Sequence, residues 1–154
     1  MGAISKLVSF LNVCFFSLGC VLLLPMLFHI HPYTVYSGSM EPVITTGSMI
    51  FVKENVPFAE IKENDIITFS MGKTTVTHRV EKVEKEAVIT KGDKNKILDL
   101  FRVYPENLKG RYLGSIPYLG YFIEILKTWK GILIWIVIIL IQFIPRREKE
   151  NESK

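Results

Sequence analysis

Thr74-Thr75-Val76-Thr77-His78-Arg79-Val80-Glu81-Lys82-Val83 decides the fold. Threonine and valine dominate it, and β-branched side chains crowd a helix but suit a pleated strand. Side chains alternate along a strand. Val76, His78 and Val80 therefore share one face, and Thr75, Thr77 and Arg79 the other. A lone histidine between two valines is ordinarily a core residue satisfied by a backbone carbonyl. Only its surroundings can argue otherwise.

Short segments of the same kind lie on both sides. Tyr33-Thr34-Val35-Tyr36, Ser48-Met49-Ile50-Phe51-Val52, Ile66-Ile67-Thr68-Phe69 and Ala87-Val88-Ile89-Thr90 read as strands. Turn residues separate them: Thr46-Gly47, Lys62-Glu63-Asn64-Asp65, Met71-Gly72 and Gly92-Asp93. No stretch between the two chain ends keeps a 3.6-residue period over three turns, so no helix is expected there. The expected fold class is mainly β, an all-β domain held between two transmembrane helices.

The ends supply those helices. The chain has 154 residues, of which 49% are hydrophobic, too many for an ordinary soluble domain of this size. Leu7 to Ile30 contains no Asp, Glu, Lys or Arg. Such a run is long enough to cross a hydrocarbon core of roughly 30 Å. It is longer than a signal-peptide core and ends in Phe28-His29-Ile30-His31 rather than a small-x-small site, so an uncleaved anchor is expected. Gly131 to Pro145 is a second apolar run, brought to spanning length by Lys127-Thr128-Trp129-Lys130. The expected organisation is a cytoplasmic N-terminus (1–6), a first span (7–30), an extracytoplasmic β-rich domain (31–127), a second span (128–145) and a cytoplasmic basic tail (146–154). Lys6 and Arg146-Arg147 set that orientation by the positive-inside rule. Cys14 and Cys20 both fall in the first span and are expected to be apolar fillers.

The net charge of +4 does not point to nucleic acid. Between the spans the basic and acidic residues nearly balance, and the excess belongs to the membrane flanks.

Three places in the exported part carry reactive side chains. Ser37-Gly38-Ser39-Met40-Glu41-Pro42 reads as a turn that presents a hydroxyl. His78 lies on the strand quoted above. Lys91-Gly92-Asp93-Lys94-Asn95 reads as a turn, with Asp99 close behind. Taken singly, each is an ordinary structural feature. A serine, a histidine and an aspartate together can make an activated nucleophile, and that constellation recurs in different chain orders on unrelated folds.

Taken together, these segments resemble type I signal peptidases, specifically the endoplasmic-reticulum/archaeal branch also found in some Gram-positive bacteria. Ser37 to Pro42 looks like the family's nucleophile box. Gly47 to Val52 and Asn64 to Phe69 look like its core strands. His78-Arg79-Val80 looks like its base box, and Lys91 to Asn95 with Asp99 like its acidic box. The likeness runs from Tyr33 to about Gly120. Histidine at position 78, where other branches carry lysine, selects the branch.

The resemblance implies a signal-peptidase-like β-domain and a membrane-bound serine endopeptidase that cleaves signal peptides from exported preproteins. Ser39 would be the nucleophile and His78 the general base. Asp99 or Asp93 would be the triad acid, the later position matching the family more closely and the earlier one bracing the turn. Ser37 would help bind the oxyanion. No cofactor and no metal are implied. The expected partners are preprotein signal peptides and the lipid bilayer, with no nucleic acid. The location would be the cell membrane, multi-pass, with the catalytic domain outside. Met40 and Ile44 are expected to dip into the bilayer surface. Two alternatives keep the fold: a narrow-client peptidase for matrix or pilin precursors, and an inactive membrane-anchored binding module. The sequence departs from the family at Gly47-Ser48 (usually Gly-Asp), at Asp93-Lys94-Asn95 (usually Asp-Asn-Asn) and at Leu98-Asp99 (usually paired acids).

Overall fold

A single antiparallel sheet of seven strands organises the computed structural model, which describes residues 2–142. The strands are β1 (Ile30–Thr34), β2 (Met49–Glu54), β3 (Ile66–Met71), β4 (Thr74–Val83), β5 (Val88–Lys91), β6 (Arg102–Val103) and β7 (Leu108–Ile116). Their order across the sheet is β1-β2-β7-β3-β4-β5-β6. β4 is the strand that its alternation requires. His78 and Val80 are buried, and β4 pairs with β3 in a register that sets Ile67 opposite His78 and Phe69 opposite Val76.

The register shifts at three places: between Phe51 and Val52, between Thr68 and Phe69, and between Val80 and Lys82. Such irregularities bend a strand and increase its twist. The sheet curls accordingly. Lys109 of β7 shows how far: its ammonium lies 5.7 Å from the ring centre of Tyr33 on β1 and 3.0 Å from the hydroxyl of Thr75 on β4. Three strands separate β1 from β4 within the sheet.

Two apolar clusters hold the curl. One gathers Ile61, Ile67, Phe69, Val80, Val88 and Val103. The other gathers Met40, Ile44, Ile50, Val52 and Ile66. Neighbours Ile66 and Ile67 point to opposite faces and join different clusters. β3 is therefore buried at four successive residues, Ile66 to Phe69. Met40 and Ile44 are about 2% and 1% exposed, so they do not dip into a bilayer as expected. Their side chains pack the Ser39-bearing loop down onto the sheet.

Helices lie at both ends. α1 (Gly2–Leu23) continues into a 3-10 turn, Leu24–Phe28. The stretch Ser9–Phe28 is long and apolar enough to cross a membrane by length and composition. Its end differs from the expected Ile30, which already pairs with Lys53 in the sheet. α2 (Leu119–Lys127) occupies part of the region expected to lack helix. It docks through Gly120 and through Tyr121, whose ring covers Gly47 and whose N–H donates to the Gly47 carbonyl at 3.2 Å. Gly47 has φ +84°, a conformation that side chains other than glycine rarely adopt. Thr128 is extended and separates α2 from α3 (Trp129–Gln142). α3 has 14 described residues, about 21 Å of helix, against roughly 30 Å of hydrocarbon. Residues 143–145 of the expected second span, and the basic tail 146–154, lie outside the described residues.

The first expected strand, Tyr33 to Tyr36, is displaced: the ladder covers Ile30 to Thr34. β6 and β7 were not expected at all. The remaining expected strands stand within about two residues of their predicted ends.

Candidate active site

The loop from Val35 to Ser48 leaves β1 and returns to β2. Two backbone bonds close its neck, from the Val35 N–H to the Ser48 carbonyl (2.9 Å) and from the Gly47 N–H to the Val35 carbonyl (2.8 Å). Ser39 sits on a tight bend of this loop, where the Glu41 N–H donates to the Gly38 carbonyl. Met40 and Ile44, buried on either side of Pro42, fix the loop to the core.

His78 comes from the middle of β4 and is 8% exposed. Its ring stands edge-on to Phe69, 6.4 Å between centres. Asp99 comes from the segment between β5 and β6. Its backbone N–H donates to the Thr90 carbonyl at 2.9 Å, and its carboxylate accepts from the Thr90 hydroxyl at 2.7 Å. Both bonds pin this loop residue to β5.

These three elements converge. His78 Nε2 is 3.0 Å from Ser39 Oγ, and His78 Nδ1 is 2.5 Å from Asp99 Oδ2. A carboxylate only accepts, so it selects the tautomer with the proton on Nδ1. Nε2 then accepts from the serine hydroxyl. Serine, imidazole and carboxylate thus form a continuous relay. Among the described residues no buried side-chain nitrogen or oxygen lacks a partner.

The sequence named two aspartates, and the structure separates them. Asp93 faces Arg79 instead of His78. It accepts from Arg79 Nε at 2.8 Å and from Nη2 at 2.7 Å, a bidentate pair. Those hydrogen bonds hold the guanidinium's pKa above its ordinary value against the opposing effect of burial. Arg79 also donates to the Asn64 carbonyl at 3.0 Å, tying the turn before β3 to the turn after β5. Ser37 Oγ lies 3.4 Å from Ser39 Oγ, a long contact. Lys82, four residues after His78, is directed to Glu84 and is mostly exposed. Among the described residues, no group of three or more His, Cys, Asp or Glu side chains could hold a metal ion.

Ser39, His78 and Asp99 open into a cleft of about 1130 Å³. Pro32 to Ser37, Thr74 to His78 of β4 and Ile97 to Phe101 line it. Ile123, Glu124 and Lys127 of α2 also line it. The lining is mainly apolar, as substrate clefts generally are. Sequence reasoning did not assign α2 to this cleft. Its polar residues, Glu124 and Lys127, share one side, but at nine residues the helix is too short to show a period over three turns.

A hydroxyl, an imidazole and a carboxylate in relay, at the base of an apolar cleft in a β-sheet, is the arrangement of serine peptidases as a class. The comparison with protein families narrows this. The chain belongs to the signal peptidase family, peptidase S26, whose family model matches residues 7–96. That match includes Ser39, His78 and Asp93 and stops three residues short of Asp99. Signal peptidase I W of Bacillus subtilis is 42% identical over 86 residues, 53% of this chain and 45% of that protein. The signal peptidase complex catalytic subunit SEC11 of Candida tropicalis is 34% identical over 103 residues, 56% of this chain and 60% of that protein. The corresponding subunit of Sclerotinia sclerotiorum is 31% identical over 101 residues. The chain therefore spans about half the length of the curated relatives it matches.

Proposed function

We propose that this protein is a membrane-bound serine endopeptidase that removes signal peptides from exported preproteins. The observation that carries the reading is the Ser39–His78–Asp99 relay at the floor of an apolar cleft. The names of the relatives described above, signal peptidases or their catalytic subunits, support the substrate class.

The chemistry follows from the contacts. Ser39 Oγ attacks the scissile carbonyl while His78 Nε2 takes its proton. The ester forms as the C–N bond breaks, and the imidazolium returns the proton to the departing amine. Water then enters on the same base and releases the acyl group from Ser39. Asp99 keeps Nδ1 protonated and balances the positive charge while it exists. Ser37 Oγ, on the nucleophile's own turn, donates to the developing oxyanion. Asp93 holds the turn through Arg79 and does not touch the reacting atoms. An extended substrate segment lies between Pro32–Ser37 and β4 and hydrogen-bonds through its backbone. Its apolar part stays in the bilayer, which raises its effective concentration at the cleft.

The membrane arrangement belongs to the same proposal. α1 is the first span and α3 begins the second. Both termini are cytoplasmic and the sheet is outside. The Lys6 and Arg146-Arg147 flanks support that orientation.

Cleavage of a model preprotein by the full-length protein in detergent tests the reading. Ser39→Ala should abolish it, by about 10⁴-fold or more, while leaving the protein folded. Substantial cleavage by that variant would exclude Ser39 as nucleophile. Protease applied to right-side-out vesicles should digest residues 31–127 and spare a C-terminal tag. A tag removed from outside would reverse the orientation.

A further inference from the structure

The nucleophile's turn is braced from outside by a carboxylate that the reaction does not use. Glu41 lies two residues past Ser39, and its carboxylate fills the space beside Gly38. A Cβ built on Gly38 would meet Glu41 Cδ and Oε1, each at 3.1 Å. The two carboxylate oxygens have separate partners. Oε1 accepts from the Thr46 hydroxyl at 2.9 Å, within the same loop. Oε2 accepts from Lys94 Nζ at 2.8 Å, across 53 residues of sequence. The first bond closes the loop on itself and the second ties it to the turn after β5.

Lys94 grips the loop twice. Besides its ammonium on Glu41, its backbone N–H donates to the Ser39 carbonyl at 2.9 Å. Gly92, two residues earlier, packs so closely on Ser39 that a Cβ there would meet the Ser39 carbonyl oxygen at 2.7 Å. The same turn is anchored at its other side by the Asp93–Arg79 pair. The backbone of the nucleophile thus rests on a turn that β4 holds in place, and Glu41–Lys94 is the side-chain strap across that junction. Lys94 stands where the family pattern described above carries asparagine.

We propose that Glu41 and Lys94 act together as positioning residues, holding the Ser39 turn against the turn after β5 so that Ser39 Oγ stays within reach of His78 Nε2. Neither touches the reacting atoms. The strap is ionic and mostly in water: the Lys94 side chain is 64% exposed and that of Glu41 32%. Hydrogen bonds from Lys94 and then Thr46, with the nearby Lys94 charge, hold the Glu41 carboxyl below its usual pKa, so it remains a carboxylate across the neutral range. An exposed pair adds little to global stability. Its effect falls on the local geometry of the turn, and therefore on kcat more than on KM or melting temperature.

This inference rests on the assignment of Ser39 as nucleophile, and the test separates the two. Lys94→Met, Glu41→Gln, the double variant and Lys94→Arg are compared with wild type and Ser39→Ala, as full-length proteins in detergent cleaving a model preprotein. Lys94→Met and Glu41→Gln should each lower kcat about two- to fivefold, the range expected for one exposed ion pair. KM should stay within about twofold and the melting temperature should be nearly unchanged. The double variant should lose no more than either single one, because each removes the same interaction. Lys94→Arg should restore most of the rate. Raising the salt concentration should slow wild type toward Lys94→Met while affecting that variant less, because screening weakens an exposed pair. An unchanged kcat in Lys94→Met, additive losses in the double variant, or a loss confined to KM would each overturn the proposal. Cleavage by Ser39→Ala would instead overturn the nucleophile assignment, whatever the strap variants do.

Discussion

Neighbouring residues of β4 carry two ion pairs that look alike on paper. His78 reaches Asp99 on one face of the strand, and Arg79 reaches Asp93 on the other. Both aspartates lie on the segment that follows β5, six residues apart, and both pairs are similarly shielded. Side-chain exposures are 11% and 18% for the first pair, 26% and 15% for the second. What differs is the group beyond. Past His78 lies the Ser39 hydroxyl at 3.0 Å, and past Arg79 lies the Asn64 carbonyl at 3.0 Å. One pair ends on the hydroxyl proposed as nucleophile, the other on a backbone acceptor that goes nowhere chemically. Burial and pairing alone therefore do not mark a catalytic acid. The third member of the chain of contacts does.

The largest expected effects attack the first pair. His78→Ala should be as inactive in preprotein cleavage as Ser39→Ala. Asp99→Asn should lower kcat about 10³–10⁴-fold, because an amide no longer balances the imidazolium or fixes its tautomer. Both variants should retain the wild-type circular dichroism spectrum. Equal rates for Asp99→Asn and Asp93→Asn would erase the distinction between the two faces.

Ser37→Ala probes the nucleophile's own neighbour. Loss of one oxyanion donor should cost about 10²–10³-fold in kcat, less than loss of Ser39. Single-turnover rates measured side by side would separate helper from nucleophile.

The second pair should fail in a different currency. Asp93→Asn leaves the Arg79 charge partly buried and badly matched, so it should destabilise the fold by about 1–3 kcal/mol. Its rate should fall by about tenfold at most at temperatures where it remains folded. Arg79→Lys should recover charge but not the fork, and so should rescue stability only in part. Thermal melts read alongside kcat would show whether stability and rate move separately at the two sites.

The smallest effect concerns stability alone and involves neither pair. Tyr33 donates to Glu54 at 2.8 Å, and burial, then that bond, then the Glu54 charge raise its pKa to about 12. The unfolded phenol ionises near 10, so the fold favours the protonated form. This contribution is complete below about pH 10 and is lost as pH rises to about 12. It should be about 1 kcal/mol after allowing for solvent screening. Melting temperatures of wild type and Tyr33→Phe should converge over that window.

The sequence made β3, β4 and β5 legible because β-branched residues run between clear turns. It also placed His78 and Arg79 on opposite faces. It did not choose between Asp93 and Asp99, since each lies in a turn-like segment whose path depends on contacts with Thr90 and Arg79. β7 escaped notice because Leu108-Lys109-Gly110-Arg111-Tyr112-Leu113-Gly114 mixes glycines and charges, which normally weaken a strand. Gly110 is there because the Lys53 carbonyl crowds the position where a Cβ would lie. α2 has a polar side in Glu124 and Lys127, but its nine residues are too few to show a helical period over three turns. Met40 and Ile44 looked like bilayer contacts only because their burial partners are distant in sequence.

β7 has one more consequence, for the moment at which the protein first becomes active. It comes late in the chain yet lies between β2 and β3. Before residue 108 is made, the Ser39 half (β1 and β2) and the His78–Asp99 half (β3 to β6) have no strand in common. A growing chain already carries all three reactive groups, and the residues of the Ser39–Lys94 contact between the two turns, while the strand that joins the two halves of the sheet is missing. Long-range strand pairing of this kind is slow compared with closing a local hairpin. A chain ending before Leu108 should therefore be inert toward preproteins. Biosynthesis would thus hold the protease silent until its last strand slides between the halves.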